Sequence, residues 1–436
     1  MDDIKIGKTK HGLRVIQVNR QKNPKLIYVH LEVGVGSDIE TKNELEICHF
    51  LEHLFVSLTS EKFPDSVKNR EVMAKNNISY SANSGSKNTS YEYSFEKKHF
   101  GIFLTMLINA LVSFKVDSKI FKKEQASIVE EINELIESPE FEIETKLNEI
   151  MFNSHIRSTS EREKLKFVKK VTAKKIQEFW NSHYKLSNIV LSIYGSVKLE
   201  TVINDIDKIF TSLKSTPSNS SLLSSYLPFK KENLLDTHVA FTKSSTSNAL
   251  LTLAWKLNFD VFSDEFYPLF AIDFLLFNDL TSLVMKRLRG ELGLIYDIES
   301  SFLLDEFQPE LSYFSLQTST NSSNILKVIN EIIKIVKQLS SKIVSNKKFN
   351  EYLEAQRLQI LQNNENLDYK TILENYSKQL LWKNKVISHS KEERKYLQVT
   401  KQDIKKSANE IFQNKNLFIS YQNSKNINSQ INKLLN

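Results

Sequence analysis

The chain has 436 residues, too many for one ordinary domain and suited to two of about two hundred each. Forty per cent hydrophobic residues supports packed cores; no apolar run reaches membrane-spanning length, and a net charge of +7 is spread without a basic block carrying interleaved aromatics, which argues against nucleic-acid binding. A single cysteine, Cys48, rules out an intrachain disulfide, and the start at Met1-Asp2-Asp3-Ile4 has no signal-peptide architecture, so a soluble, cytoplasmic protein is expected.

In chain order, β-branched and aromatic runs at 27–36, 90–95 and 188–195, bounded by turn residues, predict strands. Helical periodicity predicts helices near 44–58, 66–76, 97–114, 118–137 and 172–184. A stretch rich in Ser, Pro and Asn at 215–235 has neither period and reads as a linker. Beyond it the alternation resumes, with strands near 238–243, 249–257, 311–319 and 416–421. Val171, Thr172, Ile176 and Asn188–Ser192 match Val399, Thr400, Ile404 and Asn416–Ser420 at a constant offset of 228, which argues for a duplicated domain. The expected fold is α+β: two homologous α/β sandwich domains, each a mixed or antiparallel sheet with helices on one face. Their expected limits are 1–214 and 236–425, with a polar tail at 426–436.

His49-Phe50-Leu51-Glu52-His53 carries the chemistry. Histidines at i and i+4 are neighbours on a helix surface, so both imidazoles can reach one metal ion. Glu52 lies near that face and can take a proton from an attacking water. Taken alone, the same residues also describe a helix with two polar histidines. A catalytic zinc usually needs a third protein ligand. Within 117–142, Phe121, Ile128, Ile132 and Leu135 form an apolar stripe at helical period. Glu124 and Glu131 fall on it, while Glu130, Glu134 and Glu137 lie mostly off it. A carboxylate facing a core is costly unless paired or metal-bound, so Glu131 is the expected ligand and Glu124 an acid that orients one. Cys48 points about 100° away from His49 on a helix and reads as a buried thiol.

With these residues in place, the chain resembles the inverzincins, the zinc peptidases that include insulin-degrading enzyme, pitrilysin and the mitochondrial processing peptidases. Their pattern is H-x-x-E-H followed somewhat under eighty residues later by E-x(6)-E. Glu124 and Glu131 reproduce that interval, with Glu131 78 residues after His53. Spacing from His53 alone does not choose between Glu130 and Glu131. Downstream, Arg289-Gly290-Glu291-Leu292-Gly293-Leu294-Ile295-Tyr296 resembles the family's R-E-x-x-G-L-x-Y segment. Read locally, the same stretch is a helix end at Gly293 followed by a strand. The resemblance implies that Arg289 holds the substrate backbone, that Tyr296 stabilises the oxyanion, and that one Zn²⁺ binds per chain. It also implies that Ser81-Ala82-Asn83-Ser84 is the substrate-binding edge strand.

The chain departs from the family at Ile47-Cys48, where relatives have small residues, at Ser81 and Ser84 within an N-A-x-T pattern, and at Gly290, where they have glutamate. Two domains resemble half of a four-domain clamshell, which implies a dimer enclosing a chamber for peptides or small unfolded polypeptides. Zinc and Arg/Tyr elements in one chain favour a homodimer; a heterodimer with a related subunit is the alternative. Relatives serving as non-catalytic core subunits typically lose ligands, and here none is lost.

Overall fold

The computed structural model describes residues 3–19, 25–153, 155–213, 238–365 and 369–435. The first half runs β1 (Asp3–Lys8), β2 (Arg14–Asn19), β3 (Leu26–Val33), α1 (Ile47–Phe55), α2 (Ser66–Lys75), β4 (Ser79–Ser84), β5 (Thr89–Glu96), α3 (Phe100–Ser113), α4 (Ser118–Glu137), α5 (Phe141–Phe152), α6 (Glu161–Val168), α7 (Ala173–His183), β6 (Ile189–Tyr194) and α8 (Leu199–Thr211). The second runs β7 (Val239–Lys243), β8 (Asn248–Lys256), α9 (Tyr267–Phe277), α10 (Leu283–Met285), β9 (Ile295–Leu303), β10 (Tyr313–Asn321), α11 (Ile325–Ser341), α12 (Asn346–Glu365), α13 (Tyr369–Lys383), α14 (His389–Gln398), α15 (Lys401–Ile411), β11 (Leu417–Asn423) and α16 (Asn428–Leu435). These elements form two compact units, one of 1–134, 162–227 and 367–391, the other of 135–161, 228–366 and 392–436.

In the first unit the strand order is β1-β2-β6-β3-β5-β4, antiparallel except for the parallel pair β2–β6. Period-two alternation turns Tyr91, Tyr93 and Phe95 of β5 toward helices, where they meet Phe55 of α1 and Phe103 of α3. The other face buries Ile16, Val18, Val190 and Tyr194 under Ile372, Leu373, Tyr376 and Leu380 of α13. In the second unit the order is β7-β11-β8-β10-β9, with β11–β7 the parallel pair. It repeats the first sheet without its outermost strand β1. One face carries the large core built on α9, α11 and α15. The other is covered by α5, whose Leu147, Met151 and Phe152 pack on Ala254 and Phe418.

The duplication seen at offset 228 is exact in the elements. Ala173 and Lys401 open α7 and α15; Ile189 and Leu417 open β6 and β11. Thr172 and Thr400 are both N-caps whose side chains accept from the backbone three residues on, and Ile176 and Ile404 are both fully buried.

Three expectations change. The compact units depart from a sequential division at 1–214 and 236–425, because α5 buries its apolar side on the second sheet and α13 on the first. Periodicity shows that a helix has an apolar face but not which sheet it meets. Residues 426–436 are not a polar tail: α16 buries Ile431, and its first residue, Asn428, bonds Tyr421 and the Val239 carbonyl. Strands β1 and β2 add to those predicted. The linker at 215–235 lies outside the described residues. None of the described helices is, by itself, long and apolar enough to cross a membrane.

The hairpin joining β4 and β5 is tied down from beneath. A Cβ on Gly36 would meet the Gly85 carbonyl at 2.5 Å and the Asn88 nitrogen at 2.6 Å, so only glycine allows this approach. Lys87 and Asp38 form a buried ion pair at 3.1 Å, and Asn88 donates to the buried Glu32, which also receives His30 Nε2 at 2.7 Å. Burial alone would lower the His30 pKa, but the Glu32 hydrogen bond and charge, with Glu92 3.7 Å from Nδ1, raise it from 6.5 to about 9. Because the folded value exceeds the unfolded one, this stabilisation is complete below pH 6.5 and is lost as pH rises through 9. In urea unfolding, the extra stability of wild type over His30→Gln at pH 7 should therefore shrink by on the order of 2–3 kcal/mol by pH 9.5.

Candidate metal centre

Helix α1 is held at both ends by side chains distant in sequence. Its first N–H groups would be orphaned, and Glu46, the cap residue, does not accept them with its own side chain. Glu40 does so instead, accepting from Glu46 N at 2.9 Å and Cys48 N at 2.7 Å. Burial, and then the charge of Glu46, push the Glu40 carboxyl up to about 8. Farther along, the Tyr91 hydroxyl donates to the Leu51 carbonyl at 3.1 Å, and Phe50 stacks on Phe121 of α4 at 5.6 Å. These contacts fix the rotation of α1, which turns His49, Glu52 and His53 out of the core while Ile47, Cys48, Phe50, Leu51, Leu54 and Phe55 stay buried.

The two imidazoles meet edge to face at 4.9 Å. Both direct Nε2 toward Glu131 Oε2, His49 at 3.0 Å and His53 at 3.7 Å. Both are held from behind through Nδ1: His49 by Glu46 Oε2 at 2.9 Å and His53 by Glu124 Oε2 at 3.1 Å. Arg70 supports Glu124 at 3.1 Å and also donates to Ser57, while Lys164 of α6 supports Glu46 at 3.1 Å. The His53 hydrogen bond holds the Glu124 carboxyl below the usual range. Burial alone would raise Glu46, but His49 and Lys164 hold it down at about 2. Burial alone would lower His49; the Glu46 hydrogen bond and surrounding carboxylates raise it.

Two imidazole nitrogens and one carboxylate oxygen suit zinc by type, and their ligand atoms lie within 4.8 Å of one another. Among the described residues, no other group of three or more His, Cys, Asp or Glu converges in this way. Glu52 faces the sheet edge, where its Oε2 accepts from the Ser84 N–H of β4 at 2.8 Å. A cavity of about 370 Å³ opens there, lined by His49, Glu52, Asn83, Ser84, Gly85 and Lys164.

The structure brings together His49, His53, Glu131 and Glu124, with Glu52 beside them. It puts Ser81, Ala82, Asn83 and Ser84 on β4, outermost in its sheet and paired on one side only, to β5. Cys48 is buried, as expected. Glu131 does not face the core as expected. Phe121, Ile128 and Ile132 are buried, and so is Glu124, but Leu135 is 55% exposed and the Glu131 side chain is 46% exposed. The apolar stripe ends at Ile132, so Glu131 meets the histidines at the margin of the core and not inside it. Glu46, just ahead of α1, was not singled out from the sequence; its place three residues before His49 was the available signal.

Arg289 and Tyr296 belong to the second unit. Arg289 lies in a widened turn at Lys286–Glu291, Gly293 follows with φ +58°, and β9 begins two residues later. The local reading of a helix end thus holds. The Arg289 guanidinium sits 4.5 Å from the centre of the Tyr296 ring, and Tyr296 is 75% exposed.

Two family models match in succession: Insulinase (Peptidase family M16) over residues 15–163 and the Peptidase M16 inactive domain over 170–356. The chain is 22% identical to the uncharacterized zinc protease YmxG of Bacillus subtilis (strain 168), over 78% of this chain and 80% of that one. It is 24% identical to the mitochondrial-processing peptidase subunit beta of Saccharomyces cerevisiae, over 89% of this chain and 84% of that one. Among solved structures, a protease from Helicobacter pylori superposes with a TM-score of 0.82 at 18% identity, covering 97% of this chain and 100% of the other. A peptidase M16 inactive domain from Pseudomonas fluorescens gives 0.80 at 12% identity, covering 97% and 99%.

The three neighbouring carboxylates of α4 should separate by metal content, measured by emission spectroscopy. Glu131→Gln should lose most bound zinc and Glu130→Gln almost none. Glu124→Gln should fall between, with affinity reduced about 10–100-fold. A larger loss at Glu130 than at Glu131 would contradict the geometry.

Proposed function

Because the chain belongs to the insulinase (M16) family of peptidases, we propose that it is a zinc-dependent endopeptidase cleaving peptides or small unfolded polypeptides. The observation that carries this reading is the convergence of His49 Nε2, His53 Nε2 and Glu131 Oε2, with Glu52 turned toward a free strand edge. His49, His53 and Glu131 would hold one Zn²⁺ per chain. When bound, zinc supplies a Lewis acid that polarises a carbonyl and acidifies water.

The protein's own residues do the rest. Glu52 accepts the proton of the attacking water and delivers it to the leaving amine. The substrate adds to β4 along Ser81-Ala82-Asn83-Ser84 as a further strand, so that main-chain pairing supplies much of the affinity and tolerates varied side chains. The exposed Tyr296 hydroxyl donates to the developing oxyanion, and Arg289 holds the peptide backbone. Two such chains would form a homodimer enclosing a chamber. A second reading, the catalytic subunit of a heterodimer, is supported by similarity to a relative named as one subunit of a processing peptidase. Co-purification of an equimolar related chain would favour it.

In Glu52→Gln, zinc content should be unchanged while turnover of a quenched peptide falls about 10²–10⁴-fold; near-normal turnover would remove Glu52 as the base. His49→Ala should lose both zinc and activity. Tyr296→Phe should keep zinc and lower kcat about 10²–10³-fold, whereas Arg289→Ala should act mainly by raising KM. Mixing Glu52→Gln with Tyr296→Phe protein should restore activity if a second chain supplies Tyr296, and should not if each chain supplies its own.

A further inference from the structure

Glu46 has a backbone that its residue type disfavours. Its φ is +63° and ψ 13°, in the left-handed region where a Cβ crowds the following carbonyl. Three of the other four described non-glycine residues with positive φ are asparagines, which tolerate this region; Glu46 is not of that kind. Capping does not explain it, since Glu40 accepts the first N–H groups of α1. What the conformation does accomplish is to lay the Glu46 carboxylate along the first turn of the helix. There one oxygen meets His49 Nδ1 at 2.9 Å and the other meets Lys164 Nζ at 3.1 Å. The carboxylate is only 12% exposed and lies close to the buried Glu40, an unfavourable place for a second acid.

We propose that Glu46, held by Lys164, is a positioning residue for His49. An imidazole ligand has two nitrogens, and an acceptor on one fixes the tautomer and ring orientation that leave the other free to bind metal. His53 has Glu124 and Arg70 in that place; His49 has Glu46 and Lys164. The two ligand histidines are thus supported by equivalent carboxylate–cation pairs from different elements, α4 with α2 and the head of α1 with α6. In each pair the cation keeps the carboxylate ionised and limits its rotation. This inference rests on the zinc reading of the site.

The test uses the full-length protein and separates fold from metal. Glycine adopts φ +63° freely, so Glu46→Gly should remove the carboxylate without backbone strain and leave the circular dichroism of the metal-free protein unchanged. The same variant should weaken zinc binding about 10–100-fold in a chelator competition and alter the visible spectrum of the cobalt-substituted protein. Glu46→Gln retains an acceptor for Nδ1 and should recover part of the lost affinity; Lys164→Met should lose less than Glu46→Gly. Wild-type zinc affinity and an unchanged cobalt spectrum in Glu46→Gly would overturn the inference and leave the zinc reading intact. So would a changed circular dichroism spectrum of the metal-free variant, which would make the contact a prop of the fold. Wild-type protein that takes up no stoichiometric zinc would overturn the zinc reading, and this inference with it.

Discussion

Carboxylates gather along one side of α1 in excess of the cations that answer them. Glu46 and Glu124 hold the Nδ1 atoms, Glu131 lies across the two Nε2 atoms, and Glu52 flanks β4. Lys164 and Arg70 pair with Glu46 and Glu124. A dication held by His49, His53 and Glu131, as proposed, would offset the repulsion among these acids at its centre. Tyr91 at the Leu51 carbonyl, Glu40 at the helix head and the Phe50–Phe121 stack all fix the rotation of α1 on which this arrangement depends.

The duplicated unit shows what the same framework becomes without that chemistry. Helix α9 stands between β8 and β9 as α1 stands between β3 and β4. It buries Tyr267, Leu269, Ala271, Ile272, Leu275, Leu276 and Phe277 and contains no histidine. A helix freed from presenting ligands can be apolar nearly all round, and α9 is.

Much of this was legible in the sequence because it is local. The spacing of His49, Glu52 and His53 determines which side chains share a helix face, and the offset of 228 shows two copies of a capped helix followed by a strand. What is not local was hidden. The covering of one sheet by α13 and of the other by α5 depends on which apolar faces meet, and periodicity does not say. Glu131 sits at the margin of the core, and an exposed ligand leaves no burial signal; what the sequence carries for it is the seven-residue interval from Glu124. Glu46 escaped because a glutamate at a helix start ordinarily reads as a favourable charge near the dipole, and its left-handed backbone leaves no mark in the sequence.

As proposed, His49, His53 and Glu131 hold one zinc without the neighbouring thiol. X-ray absorption at the zinc edge reads the ligand atoms themselves. The expected spectrum has four nitrogen and oxygen neighbours at about 2.0–2.2 Å, with the multiple scattering of two imidazoles and no sulfur shell. A zinc–sulfur distance near 2.3 Å, which in this chain would implicate Cys48, or a spectrum without two imidazoles, would contradict it.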